Sequence, residues 1–489
     1  MKRKLYDFQK LSSFHMAFSQ NACNFSVPGA GKTSIVYASY LYLKSLPKDH
    51  IKHVDKLLVI GPISSFAPWE NEHYDCFGTK IRSLRLSGNN ELSRDEKEEL
   101  LYSANPPELI LAFHGGVNHY KKELIHFLKR HKTMVVIDEA HRIKNPEGVW
   151  GRSAVEISKD AVSRIVLTGT PLPNGYEDIY NLYQFLYPFK FKEILKYHYG
   201  NLREMTNYCE IESPRVKQFS ENISPYFIRT RKDDLPIPPS KEFIIKIPMD
   251  DAQREIYDFI ESKYLDSFRS NSSGTIKDIV NRAKLIRLRQ AATNPSILLK
   301  PILDTLNSEY LEETGYLVFD LPDEFQNDSE IIEKIRNYGQ IIPPKFQALY
   351  NHIKDNIEIK KFLIWTIFIQ NAKDLSEYLD SKGIKTRLLI GEVEQADREQ
   401  VISKFNNPDN HDFQIVIANP FCVAESISLH KGCHNAIYLE RDYNCASFIQ
   451  SKDRIHRLGL EEGQETNYYY MISQDSIDSV INKRLDIKV

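Results

Sequence analysis

Ser26-Val27-Pro28-Gly29-Ala30-Gly31-Lys32-Thr33-Ser34 lies between an apolar lead-in and a helical pattern that starts at Ile35. These residues read as a phosphate loop. Glycines at 29 and 31 let backbone N–H groups turn inward onto an anion, Lys32 can reach β and γ phosphates, and Thr33 can hold Mg²⁺. The full G-x-x-x-x-G-K-[ST] pattern asks for glycine at 26, where this chain has serine. A glycine turn capping a helix is the competing reading of the same residues, so the rest of the chain must decide.

The chain has 489 residues, enough for roughly three domains. Its 64 Lys+Arg balance 66 Asp+Glu, so contact with nucleic acid would rest on local basic surface rather than net charge. Cys23, Cys76, Cys209, Cys422, Cys433 and Cys445 form no C-x-x-C pair, which disfavours a zinc site and a disulfide framework. No charged-then-apolar leader opens the chain, and its longest nearly apolar run, Phe362 to Ile369, is too short to span a bilayer. The expectation is a soluble, cytoplasmic protein without membrane contact, nucleoid-associated if the source is prokaryotic.

Lys56-Leu57-Leu58-Val59-Ile60 is a buried-strand pattern ending in Gly61-Pro62 and leading to a helix through Trp69-Glu70. Leu109 to Phe113 repeats it, ending at His114-Gly115-Gly116, and Thr133 to Ile137 repeats it again, ending at Asp138-Glu139-Ala140-His141. Strands alternating with helices predict parallel sheets covered on both faces, with chemistry at the strand C-termini. Beside a phosphate loop, Asp138 can join a Mg²⁺ shell and Glu139 can position and deprotonate an attacking water. A strand running into an acidic helix cap is the bland alternative. Ahead of the loop, Gln9 carries an amide able to read an adenine edge.

Arg164 to Leu167 is a further strand, ending in Thr168-Gly169-Thr170-Pro171-Leu172-Pro173-Asn174. With Asp138 to Asn145, this stretch resembles motifs III and II of the Swi/Snf-type ATPases of helicase superfamily 2. Gly61-Pro62 to Trp69-Glu70 resembles motif Ia, Tyr226 to Asp234 the end of the first lobe, and Leu288-Arg289-Gln290 to Asn294-Pro295 a signature of the family's inserted helices. Lys361 to Thr366 resembles motif IV. Gln450-Ser451-Lys452-Asp453-Arg454-Ile455-His456-Arg457 resembles motif VI, and on one helix it would align Gln450, Arg454 and Arg457 at i, i+4 and i+7. The family's glycine-rich turn is replaced here by Val423 to Leu429. The basic helix Arg282 to Arg289 can touch phosphates or stay solvated.

The resemblance, which covers Leu5 to about Arg484, implies an α/β fold of two RecA-like P-loop lobes, parallel sheets flanked by helices, with helical insertions. Lobe 1 is expected over 1–235, with a helical insertion at about 190–222; a linker and helical insertion over 236–345; and lobe 2 over 346–489. The Pro236-Ile237-Pro238-Pro239 break is the hinge candidate, and the acidic run from about Asn307 to Glu330 is read as a surface insertion. ATP would be held by Gln9, Pro28, Gly29, Ala30, Gly31, Lys32, Thr33, Ser34 and Gln450, and Mg²⁺ by Thr33 and Asp138. Catalysis would fall to Lys32, Asp138, Glu139, Arg454 and Arg457. The implied activity is ATP hydrolysis driving translocation on double-stranded DNA, in genome defence, repair or displacement of transcription complexes. With no appended reader or nuclease in the sequence, target choice would come from a protein partner, and a prokaryotic or viral source is expected. A strand-separating DNA or RNA helicase and a nucleotide-regulated DNA-binding scaffold are the rival readings.

Overall fold

The computed structural model describes residues 1–87, 92–269, 285–299, 329–357, 360–423 and 427–488. These divide into two compact units, one built on Met1–Ile237 and the other beginning at Pro238. The first unit carries β1 (Asn21–Asn24), β2 (Lys56–Gly61), β3 (Ser83–Leu86), β4 (Leu109–Phe113), β5 (Thr133–Ile137), β6 (Ser163–Leu167) and β7 (Phe227–Ile228). They form a parallel sheet in the order β3-β4-β2-β5-β6-β1-β7.

The two-residue period of the strands sorts their side chains between two cores. Leu58, Ile60, Ile110, Ala112, Val135 and Ile137 enter one; Leu57, Val59, Leu109, Leu111, Met134 and Val136 enter the other. Because both faces are covered, the strands read as continuous apolar runs rather than alternating ones. Three helices bear on the site: α1 (Asp7–Ser19), α2 (Lys32–Ser45) and α3 (Phe66–Phe77). The segment from 190 to 222 is helical, and its Leu195, Leu202, Met205 and Phe219 are buried in the first of these cores. It is part of the unit's packing rather than a separate flap.

The second unit carries β8 (Ser240–Ile247), β9 (Phe362–Trp365), β10 (Thr386–Leu389), β11 (Ile415–Ala418), β12 (Asn435–Tyr438) and β13 (Thr466–Ser473). They too form a parallel sheet, in the order β10-β11-β9-β12-β13-β8. Its core joins Phe346, Leu349 and Ile353 to Phe362, Ile364, Ile415, Ile417 and Ile437. The segment expected as linker and insertion supplies a strand of this sheet: β8 pairs with β13 from Ser240↔Thr466 to Ile247↔Ser473. With a neighbour on one side only, β8 keeps Phe243 and Ile244 exposed, and its mix of charged and apolar residues hides it from an apolar-run search.

Residues 282–284 of the basic helix, 307–328 of the acidic run and 424–426 of the altered turn lie outside the described residues. Among the described residues no helix is long and apolar enough to cross a membrane.

Candidate functional site

β1 delivers the chain into the phosphate loop and α2 leaves it, so the loop stands at a strand C-terminus and a helix N-terminus. Gly29 (φ 82°) and Gly31 (φ 75°) both take left-handed backbone, and Gly31 is the N-cap of α2. A side chain there would be strained, and a Cβ on Gly31 would also stand 2.4 Å from Gln9 Nε2. Lys32 Nζ donates to the loop's own carbonyls, Ser26 O at 3.0 Å and Val27 O at 3.3 Å. Ser26 is fully buried, and its hydroxyl accepts the Thr230 N–H at 3.0 Å. The serine in place of glycine therefore ties the loop to the chain that follows β7.

The loop's neighbours are more committed than the sequence suggested. The Gln9 amide is buried, with Oε1 accepting the Tyr6 N–H at 3.1 Å and Nε2 donating to Ala30 O at 3.1 Å. Both of its faces are engaged with backbone. Ser34 is buried as well; its hydroxyl donates to Glu72 and accepts from Arg3 Nη1 at 3.3 Å. Pro28 touches the Thr168-Gly169-Thr170 turn so closely that a Cβ on Gly169 would stand 2.8 Å from Pro28 Cδ.

Asp138 and Glu139 follow β5, two strands from β1 in the sheet. Asp138 Oδ2 accepts the Trp69 indole N–H at 3.0 Å, and Oδ1 accepts the Glu139 N–H at 3.0 Å. Burial, and Glu139 beside it, push the Asp138 carboxyl up to about 6 against the opposing pull of the Trp69 bond and of Lys32. Glu139 itself is held at φ 48°, ψ 52°. Its Oε2 is buried with no hydrogen-bond partner, and His141 Nδ1 stands 3.4 Å away. A buried carboxylate oxygen left unsatisfied is costly, so this atom has free capacity for a water or a ligand. His114 Nε2 lies 2.9 Å from the Asp138 carbonyl. Further along, Asp178 Oδ2 accepts the Asn174 N–H at 2.7 Å and meets Lys144 Nζ at 3.5 Å, joining the segments after β5 and β6.

The expected helix face of Gln450, Arg454 and Arg457 is corrected. The helix Cys445–Lys452 ends before either arginine. Arg454 N–H reaches back only three residues, to Ser451 O at 3.2 Å, while the Arg454 carbonyl accepts the Leu429 N–H at 2.9 Å. The Arg454 N–H thus bonds Ser451 O in place of the Gln450 O that an i to i+4 ladder would use, and the helix stops. Gln450 lies in the helix, and Arg454 and Arg457 lie in the turns after it. Arg454 is buried and donates through Nε to Gln450 O at 2.9 Å.

Neither Trp69 nor His114 carries a role in the sequence reading. An obligate indole donor on the helix after Gly61-Pro62 was the available signal for Trp69. His114 offers none beyond its place after a buried strand.

A family model described as the SNF2-related domain matches residues 25–297, more than half of the chain, and one described as the helicase conserved C-terminal domain matches residues 344–459. The chain is 23% identical over 462 residues to the ISWI chromatin-remodeling complex ATPase CHR17 of Arabidopsis thaliana, covering 93% of itself and 38% of that protein. It is 24% identical over 467 residues to the mouse (Mus musculus) SWI/SNF-related matrix-associated actin-dependent regulator of chromatin subfamily A member 1, covering 94% of itself and 40% of that protein. With the Saccharomyces cerevisiae ATP-dependent helicase FUN30 the identity is 25% over 501 residues, covering 93% and 43%. The chain thus spans about two fifths of the length of these relatives. A solved structure of the Sulfolobus solfataricus SWI2/SNF2 ATPase core in complex with dsDNA is similar at 21% identity and a TM-score of 0.41, covering 100% of this chain and 92% of that one.

Proposed function

The chain belongs to the SNF2-related family, and from that premise we propose that it is an ATP-hydrolysing motor that translocates along double-stranded DNA without separating the strands. The observation that carries the reading is the Glu139 carboxylate, buried, short of a hydrogen bond and set beside Asp138 in the same sheet as a glycine-turned lysine loop.

Lys32 binds the β and γ phosphates, exchanging the Ser26 and Val27 carbonyls for phosphate oxygens. The loop N–H groups from Gly29 to Thr33 cradle the same anion. Glu139 orients and deprotonates the attacking water. Thr33 and Asp138 offer hard oxygen donors suited to Mg²⁺. Held there, the ion would neutralise charge on the phosphates. Arg454 and Arg457 supply guanidinium charge to the transferring phosphoryl group. Ser34 fixes the first turn of α2 through Glu72, and the Gln450 carbonyl holds Arg454. Gln9 steadies the glycine turn, and would give up Ala30 O or the Tyr6 N–H to read a base. A protein partner directs the motor to its target, in a setting such as genome defence, repair or transcription-complex displacement.

Ser26, standing where the full phosphate-loop pattern has glycine, has a structural use in the Thr230 bond, which weakens the scaffold reading. The deciding experiment runs triplex displacement beside forked-duplex unwinding, with candidate partners present. Displacement without unwinding is expected, with ATPase stimulated by duplex DNA more than by RNA and falling steeply between about 50 and 200 mM salt. Efficient unwinding with no triplex displacement would replace the translocase reading with a helicase.

A further inference from the structure

We propose that His114 is a positioning residue for Glu139, and that Trp150 holds the imidazole in place; this rests on the hydrolytic reading above. Glu139 takes left-handed backbone (φ 48°, ψ 52°), which a non-glycine residue adopts at a cost. Something must hold it there.

The peptide joining Asp138 to Glu139 is fixed at both of its polar atoms. Its N–H donates to Asp138 Oδ1 at 3.0 Å, and its carbonyl meets His114 Nε2 at 2.9 Å. A carbonyl can only accept, so Nε2 carries the proton. This pair of bonds sets the rotation that aims the Glu139 side chain. His114 is itself buried, at the end of β4. The Trp150 ring stacks on it, centroids 6.2 Å apart and 24° from parallel. Gly115 lets the indole come close, since a Cβ there would stand 3.3 Å from Trp150 Nε1. The imidazole therefore has one orientation, and that orientation points its N–H at the Asp138 carbonyl.

Glutamine can place an amide donor at a reach similar to Nε2, whereas alanine removes the donor. Steady-state and single-turnover ATPase should show His114→Ala lowering kcat by about 10- to 100-fold with KM for ATP changed less than about twofold, and His114→Gln recovering most of the loss. Trp150→Ala should take part of the same loss, and Trp150→Phe much less. A glutamine no better than alanine, or a KM for ATP that rises as far as kcat falls, overturns the proposal while leaving the hydrolytic reading intact. A wild-type chain that turns over no ATP with duplex DNA and partners present overturns that reading, and this one with it.

Discussion

The two units end a central strand of a parallel sheet in acidic residues, and they treat those residues in different ways. After β5, Asp138 takes one donor on each oxygen, and Glu139 Oε2 takes none. After β12, Glu440 Oε1 gathers the Thr366 hydroxyl at 2.6 Å, the N–H groups of Ile367 and Phe368 at 3.1 and 3.3 Å, and Asn371 Nδ2 at 3.4 Å. Its Oε2 is left without a partner, but the side chain is anchored. The lysines differ in the same sense. Lys32 is half-exposed and rests on its own loop. Lys345 is buried and bound to Asp478 Oδ2 at 2.7 Å, Leu439 O at 2.9 Å and Thr293 Oγ1 at 3.2 Å. The same fold thus uses charge for two purposes. Around Lys345 charge fixes the fold, and at Glu139 a buried carboxylate oxygen has room for a ligand.

The largest effects should come from Lys32 and Glu139. Lys32→Ala and Glu139→Gln are each expected to abolish turnover, with Glu139→Gln still retaining ATP in an equilibrium binding assay, since it removes the water's base but not a phosphate contact. Unmutated rates in Glu139→Gln would break the comparison at its first term. Next is the closed charge: Lys345→Ala leaves Asp478 buried and unpaired, which should cost about 3–5 kcal/mol in denaturant unfolding of the second unit. An unchanged midpoint would mean that this network does not hold the fold.

The smallest expected effect concerns Asp138. A carboxyl whose folded value is about 6, above the unfolded one near 4, costs stability when it ionises. That cost is absent below about pH 4, grows between about pH 4 and 6, and is complete above. Asp138→Asn should therefore raise the melting temperature by roughly 5 °C at pH 7, and by less at pH 5, while losing activity. An equal gain at both pH values would show that something other than the buried charge is responsible.

The strands buried on both faces were legible, because β2, β4, β5, β6, β9, β11 and β12 are apolar runs that stop at glycine, proline or a polar residue. β1 was not, although it lies between β6 and β7, because its Asn-Ala-Cys-Asn sequence gives no such run. Its Asn24 is fully buried and serves the loop by accepting the Ser26 N–H at 3.0 Å. The edge strands β3, β8 and β10 were missed for the reason edges often are, with one flank unpaired and a mixed composition. Lys32, Asp138 and Glu139 could be picked out by type and spacing. The arginine turn could not, because the Arg454 N–H bonds three residues back, to Ser451 O, and no residue type there marks that change. His114 was out of reach for a related reason: its partner is a carbonyl, and carbonyls leave no trace in a sequence.

One bond gives the molecule a gauge of its own. The Thr230 N–H donates to Ser26 Oγ at 3.0 Å, Val27 N–H returns to Thr230 O at 3.1 Å, and Phe25 N–H to Ile228 O at 2.8 Å. Loop and outgoing chain are laced together like two links of a crank, and a displacement of one must be carried by the other or break the lacing. Deuterium uptake at a single amide, that of Thr230, should therefore report a displacement of the glycine loop from a residue outside it.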